Sequence, residues 1–374
     1  MRPRTGSPSG RLDFRRLDFL DGLRGVAVGL VLLQHVGELC FPAVRSFTAG
    51  TLQLGQLGVL VFFLCSGFII PASLERGRRE PGRLPALRAF WISRVFRLYP
   101  LYWLSLAAAA ALVAAGRYAP GTPLSAGDWL ANAALLQLPA GAPHALGLYW
   151  TLAFEMVFYA LVSGLFLLGW HRRSVLLSLA ASGACLAAAA TAQPLLGRPA
   201  PLGLFCLATM FLGTVVHRWH AGDVRLRGVL GCAAGTLLGG VAMLVSTGTA
   251  AAPMLTAWLG AYAVFGLGVA LRRRAVPGWL RRLGTISYSV YLVQAVVLLA
   301  VPATPHPLLT AAVWTVVVLG VSEATYRLVE RPSIRLGRVL AARTTEGAGA
   351  AVPIRPDVAV RPYRAPRGAG QIAV

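Results

Sequence analysis

Few residues in this chain have side chains suited to chemistry inside an apolar environment, so their spacing is informative. The chain holds six histidines and 13 acidic residues in 374 positions. Only one histidine, His35, falls well inside an apolar run, away from its ends, and among the acids Glu155 is the clearest such case. Ionisable groups within a lipid-spanning segment are costly and usually functional. Arg24 and His35 stand 11 residues apart. At 100° per residue that is three turns plus about 20°, so one helix presents both on one face, about 16 Å apart along its axis. His35 lies about five residues from one end of its apolar run, and Glu155 about six residues, or ~9 Å, from the matching end of another. The two are expected at similar depth, where they can meet in one buried layer. A histidine with a carboxylate partner can act as a general base toward a hydroxyl. A His–Glu pair that merely clamps two helices fits the same spacing.

A second layer is expected at the other end of the bundle, from Arg24, Arg94, Arg97 and Glu330. Arg94 and Arg97, three residues apart, are neighbours on one helical face. Arginines grouped at a pore mouth can bind phosphates through forked donors. Ordinary positive charge flanking a membrane segment is the alternative for both. Trp150 and Tyr288 are candidates to line a cavity, although aromatics near helix ends also serve as interface anchors. The five cysteines (Cys40, Cys65, Cys185, Cys206, Cys232) are scattered, and no pair has metal-ligand spacing. No metal site and no disulfide framework are expected.

The elements that must position these groups follow from composition. Hydrophobic residues make up 56% of the chain and charged residues 13%, against about 25% charged in soluble domains, and the mean hydropathy is +0.66. The apolar residues fall into runs of about 18–22, each long enough to cross a hydrocarbon core. Period-2 alternation is missing, so helices rather than a barrel are indicated. The expected fold is an all-α integral membrane protein of about ten transmembrane helices, near 20–40, 54–73, 98–116, 149–169, 174–192, 203–219, 228–246, 252–271, 284–301 and 307–328.

Charge then sets orientation. The net charge is +22, carried by 35 arginines and no lysine. With the N-terminus inside, only Arg45, Arg117 and Arg198 fall on the outer side. The positive-inside rule accounts for this split and puts both termini in the cytoplasm, in a multi-pass protein of the plasma (inner) membrane. Nucleic acid is excluded as the partner, because the charge follows the membrane topology rather than one face of a domain. Residues 1–18 read as a basic cytoplasmic lead-in, 19–338 as the transmembrane domain, and 339–374 as a disordered cytoplasmic tail. The loop 117–148 is expected to lie over the outer mouth. No cleavable signal peptide is seen.

Six segments, in order, resemble the acyltransferase-3 family of membrane O-acyltransferases. They are LDGLRGVAVGLVLLQH with its Arg24-x10-His35 pair, GVLVFFLCSGFII (58–70), RAFWISRVFRLYPLYW (88–103) with Arg94-x-x-Arg97, LYWTLAFEMVFY (148–159) with Glu155, LGTISYSVYLVQ (283–294), and YRLVERP (326–332) with Glu330. The resemblance covers roughly residues 17–338. It implies transfer of an acyl group, commonly acetyl, from acyl-CoA to a hydroxyl of a carbohydrate or natural-product acceptor. It further implies His35 as the catalytic base, Arg94 and Arg97 at the acyl-CoA end, and Glu155 and Glu330 at the family's acidic positions. One departure stands out: the family often has a histidine after SYxxYL, where this chain has Gln294. The expected mechanism has Arg94, Arg97 and Arg24 on the CoA phosphates and Glu155 orienting His35. Acyl-CoA is thus expected as a donor substrate rather than a resident cofactor, and a separate extracytoplasmic enzyme is a possible partner. A transporter of a polar lipid or metabolite, or a membrane scaffold, is the competing class. Consumption of a CoA thioester separates the first from the enzyme, and tolerance of His35, Glu155 and Arg97 substitutions separates the second.

Overall fold

A computed structural model describes residues 18–76, 82–197, 200–248 and 251–346. The ordered elements are α1 (Asp18–Cys40), α2 (Pro42–Gly50), α3 (Leu54–Arg76), α4 (Arg83–Ala114), α5 (Ala126–Ala133), α6 (Tyr149–Leu168), α7 (Ser174–Leu196), α8 (Gly203–His220), α9 (Leu226–Thr247), α10 (Ala251–Ala270), α11 (Gly278–Thr285), α12 (Ser287–Ala300), α13 (Pro307–Thr325), a π-turn at Tyr326–Glu330, and α14 (Arg331–Glu346). No strand occurs among the described residues.

All ten expected segments are helical, but the count of spans is lower. Eight helices are long and apolar enough to cross a membrane: α1, α3, α4, α6, α7, α9, α10 and the continuous α13–α14 rod. The segment 284–301 becomes a ninth only if α11 and α12, bent by 69° at their junction, count as one broken span. The segment 203–219 forms α8, which has only 18 residues and ends in His217, Arg218 and His220. Two other boundaries also move. The helix carrying Arg94 and Arg97 begins at Arg83 rather than near 98, so both arginines are part of α4. The last helix runs through 339–346, residues assigned to the tail on sequence grounds; 347–374 and 1–17 lie outside the described residues.

α1 and α3 form the centre. On one side, α8 lies along α3, and α7 and α9 pair against α8. On the other, α11–α13 pack on α1, and α14 lies along α4. Between lipid-bathed helices there is little hydrophobic driving force, so close backbone approach must supply the contact. Glycines make it possible. A Cβ on Gly67 of α3 would lie 1.9 Å from the Met210 carbonyl oxygen of α8, and one on Gly213 would lie 2.5 Å from the Leu64 carbonyl oxygen. Many large apolar side chains point outward, among them Leu33, Leu104, Leu167, Leu238, Leu259 and Val316. In water such a surface would aggregate; in a bilayer it faces its solvent.

The connection 117–148 is structured. Ser125 and Asp128 form a reciprocal capping box on α5. The Ser125 hydroxyl and amide both donate to the Asp128 carboxylate, which holds that carboxyl below its usual range. Buried Asn132 donates to the carbonyls of Asp128 and Pro143 and accepts from Ala145 N–H. Tyr99, Tyr102 and Trp103 of α4 donate to the carbonyls of Ala134, Asn132 and Ala133. The loop is thereby pinned to the middle of α4, and its last residues line a cavity described below.

Candidate active site in two cavities

Two cavities enter the bundle from opposite ends. The first, about 1000 Å³, opens at the end that carries most of the arginines. The second, about 770 Å³, opens at the other end. Val59 and Tyr291 line both and stand between them. The Tyr291 hydroxyl is held at this partition by the Thr151 hydroxyl at 2.8 Å and the Leu148 carbonyl at 3.2 Å, and its ring meets Phe62 edge-on.

The basic-side cavity collects Arg24, Arg94, Arg97, Glu155, Tyr288 and Glu330. Arg24 reaches it because α1 and α11 touch at two glycines. A Cβ on Gly25 would lie 2.4 Å from the Leu280 carbonyl oxygen, and one on Gly284 would lie 1.7 Å from the Asp21 carbonyl oxygen. That approach brings the Arg24 guanidinium to the Ser287 hydroxyl, with Nε and Nη2 donating at 3.2 and 3.1 Å. Arg94 lies over the rings of Phe90 and Tyr159, 5.3 and 5.5 Å from their centroids, and its buried Nε has no hydrogen-bond partner among the described residues. The Glu155 carboxylate accepts from the Tyr159 hydroxyl at 2.5 Å and the Ser66 hydroxyl at 3.1 Å. Tyr288 presents its ring only, since its hydroxyl donates to the Leu98 carbonyl.

Glu330 ends the π-turn. There the chain closes an i→i+5 bond, Arg331 N–H to the Tyr326 carbonyl, instead of the usual i→i+4. Such turns recur at functional sites. Glu330 is 1% exposed and accepts from the Ser289 hydroxyl at 2.7 Å. Buried carboxylates need such partners, and Arg24 and Arg97 supply the compensating positive charge nearby.

The opposite cavity holds His35 with Gln34, Glu38, Arg45, Gln53, Gln56, Tyr118 and Trp150. Its polar wall is braced: Gln34 accepts from Gly55 N–H, the Thr48 hydroxyl donates to Glu38, and Arg45 donates to the Glu38 carbonyl. Trp150 is fixed edge-on by Phe63 and Phe154. The side chain beside His35 is Gln294, and the charge closest in influence is Glu38. Gln294 is fully buried; its Nε2 donates to the Tyr291 carbonyl, and its side chain is a hydrogen-bond partner of His35.

The shared His35–Glu155 layer is therefore not formed. Similar depth did not bring the two into one chamber, because residue counting fixes height along a helix but not its rotation. Glu155 turns toward Ser66, Tyr159 and the basic-side cavity, while His35 turns to the other. Arg24, Arg94, Arg97 and Glu330 do converge on the basic side. Trp150 and Tyr288, expected to serve one cavity, serve different ones. Ser66, Tyr159, Ser287, Ser289 and Tyr291 were missed. All five sit inside the motifs given above, yet hydroxyl residues in apolar helices are too common to single out. Among the described residues, no group of three His, Cys, Asp or Glu side chains is placed to hold a metal.

A helical bundle with a lipophilic outer surface, and with polar cavities entering from both ends, is a polytopic membrane protein built around an internal site. A sequence profile of the acyltransferase domain matches residues 17–325. The exopolysaccharide production protein ExoZ of Rhizobium meliloti (strain 1021) is 30% identical over 317 residues, covering 79% of this chain and 93% of that protein. No solved structure matches. The chain belongs to the acyltransferase-3 family and is a membrane O-acyltransferase.

Proposed function

We propose that this enzyme carries an acetyl group from acetyl-CoA, entering the basic-side cavity, to a carbohydrate hydroxyl entering the opposite one. The observation that carries this reading is the pair of back-to-back cavities that, among the described residues, share only Val59 and Tyr291, arginine-rich on one side and holding His35 on the other. The arginine distribution supports a cytoplasmic opening for the first cavity, which is where acyl-CoA is found. Both termini then lie in the cytoplasm and the second cavity opens outside a plasma membrane. The relative named for exopolysaccharide production supports a carbohydrate acceptor; a natural product bearing a hydroxyl is the same chemistry. An outward-facing acceptor leaves room for a separate extracytoplasmic partner enzyme.

In the reaction, Arg94 and Arg97 hold donor phosphates and Arg24, anchored on Ser287, guards the path inward. The thioester reaches the partition beside Thr151 and Tyr291. His35 takes the proton of the acceptor hydroxyl as its oxygen attacks the thioester carbonyl, forming the new C–O ester bond. The C–S bond breaks and CoA leaves as the thiolate, which is protonated from solvent in the basic-side cavity, while the His35 imidazolium returns its proton to solvent in the opposite cavity and regenerates the base. Glu155 acts on the donor side rather than by orienting His35. Its carboxylate, held by Tyr159 and Ser66, lies beside the route of the thioester. Trp150 offers a stacking face for a sugar ring next to His35.

The test is thiol release from acetyl-CoA by purified protein in nanodiscs, with and without a panel of sugar acceptors, beside His35→Ala. Acceptor-dependent release that disappears in the folded variant is expected. Turnover in His35→Ala close to that of the parent would remove the general-base role.

A further inference from the structure

In the sequence the arginines of α14 enter only through the positive-inside split, but the fold turns three of them into the wall of a cavity. Arg331, Arg335 and Arg338 follow the i, i+4, i+7 spacing that puts side chains on one helical face, and all three line the basic-side cavity. Gly337 fixes that face. A Cβ there would lie 2.6 Å from Phe96 Cβ and 3.6 Å from the Ile92 carbonyl oxygen. α14 is thus pressed against the half of α4 that bears Arg94 and Arg97.

Five arginines elsewhere pair with carboxylates. Arg218 and Arg172 meet Glu75, Arg281 meets Asp18, and Arg282 and Arg327 meet Glu323. Arg331, Arg335 and Arg338 have no ion pair among the described residues, and all three are exposed at the mouth. Their guanidinium forks are left for a ligand with several anionic oxygens. The cavity continues inward from this rim to Ser66 and Glu155, so the anion is one end of a molecule whose other end goes inside. A lipid headgroup would stay at the rim.

We propose that Arg335 and Arg338, with Arg331, form a phosphate clamp at the cavity mouth that holds the nucleotide phosphates of a thioester donor. The identity of that donor rests on the acyl-transfer reading above; the anion site itself does not. Arg94 and Arg97 lie deeper and meet the phosphate nearer the thioester.

The experiment measures equilibrium binding of adenosine 3′,5′-bisphosphate to full-length protein in nanodiscs of neutral phosphatidylcholine, for the parent, Arg335→Leu, Arg338→Leu and the double variant. Each single change should weaken binding about tenfold, the loss of one charge-assisted contact. Arg335→Lys should fall between, keeping charge without the fork. In turnover, KM for acetyl-CoA should rise in the variants while KM for phosphate-free S-acetyl-N-acetylcysteamine stays put. Four results overturn the clamp: no bisphosphate binding by the parent, equal affinity in the double variant, an equal rise of KM for both donors, or a defect seen only when anionic phosphatidylglycerol is added. A parent that binds bisphosphate yet consumes no acyl-CoA would sink the acyl-CoA reading alone.

Discussion

Substituting Gly284 by alanine tests whether the α1–α11 contact sets the site. The new Cβ would lie 1.7 Å from the Asp21 carbonyl oxygen and 2.5 Å from its carbonyl carbon, where ordinary contact begins at 3.4 Å. Both atoms are backbone, so no side chain can swing away. The two helices must part by about 1.7 Å, the shortfall from ordinary contact. Arg24 donates to Ser287 at 3.1 and 3.2 Å. A separation of that size takes both bonds past the length at which they count as bonds. Overpacking costs about 1–3 kcal/mol, and a lost hydrogen bond to a charged group about 1.5–3 kcal/mol. Together that is roughly 3–6 kcal/mol, or a fall in melting temperature of roughly 6–12 °C at about 2 °C per kcal/mol for a long chain. The assay is thermal unfolding in detergent followed by tryptophan fluorescence, with thiol release on the surviving folded fraction. Gly25→Ala strains the same pair of helices from the other side, 2.4 Å from the Leu280 carbonyl oxygen. The double variant should therefore cost less than the sum of the two. Gly320 has nothing within 4 Å, and Gly320→Ala should leave melting unchanged or raise it, since alanine favours helix by about 1 kcal/mol. If Gly284→Ala melts with the parent and keeps its activity, the account of how Arg24 is positioned is wrong.

Three other perturbations follow from the same geometry. Tyr291→Ala removes the side chain shared by the two cavities and should let water reach the thioester; acceptor-independent thiol release should rise, and an unchanged background would mean that Tyr291 is no barrier. Gln294→Leu removes the buried amide beside His35 and should lower kcat by about tenfold or more with little change in KM for acetyl-CoA, as loss of a group that orients a catalytic imidazole does; wild-type kcat in the folded variant would show that the ring needs no such support. Ser125→Ala breaks the capping box of α5 and should destabilise the outer loop by about 1 kcal/mol, seen as faster amide exchange in 126–133, and equal exchange would show that the contacts to α4 alone hold the loop.

How much could be read from the sequence depends on which coordinate a residue's role needs. Length and apolarity place a segment across the bilayer, so all ten segments proved helical. They do not reveal a break such as that at Ile286, or that 203–219 is an 18-residue helix ending in basic residues. Spacing along one helix was equally legible: Arg94 and Arg97 do share a cavity with Arg24. The relation between helices was not. The rotation of α6 decides whether Glu155 looks at His35 or at Ser66, and that rotation is set by packing contacts such as Gly203 of α8 against the Phe154 ring. Tyr291 and the α14 arginines were hidden for a related reason. Their importance lies in what stands on either side of them, and no local pattern in the chain records that.

The π-turn at Tyr326–Glu330 sets the phase of everything after it. An α-helix advances about 100° per residue, so one residue more or fewer in this stretch would rotate α14 by that angle relative to α13. Glu330 would leave Ser289, Arg335 and Arg338 would turn from the cavity mouth toward lipid or water, and Gly337 would no longer face Phe96. The donor end of the enzyme is therefore keyed to a count of residues as well as to their types. A relative in which all the arginines are kept but this stretch is one residue shorter would hold the same charges around a differently clocked helix, and would hold them in the wrong place.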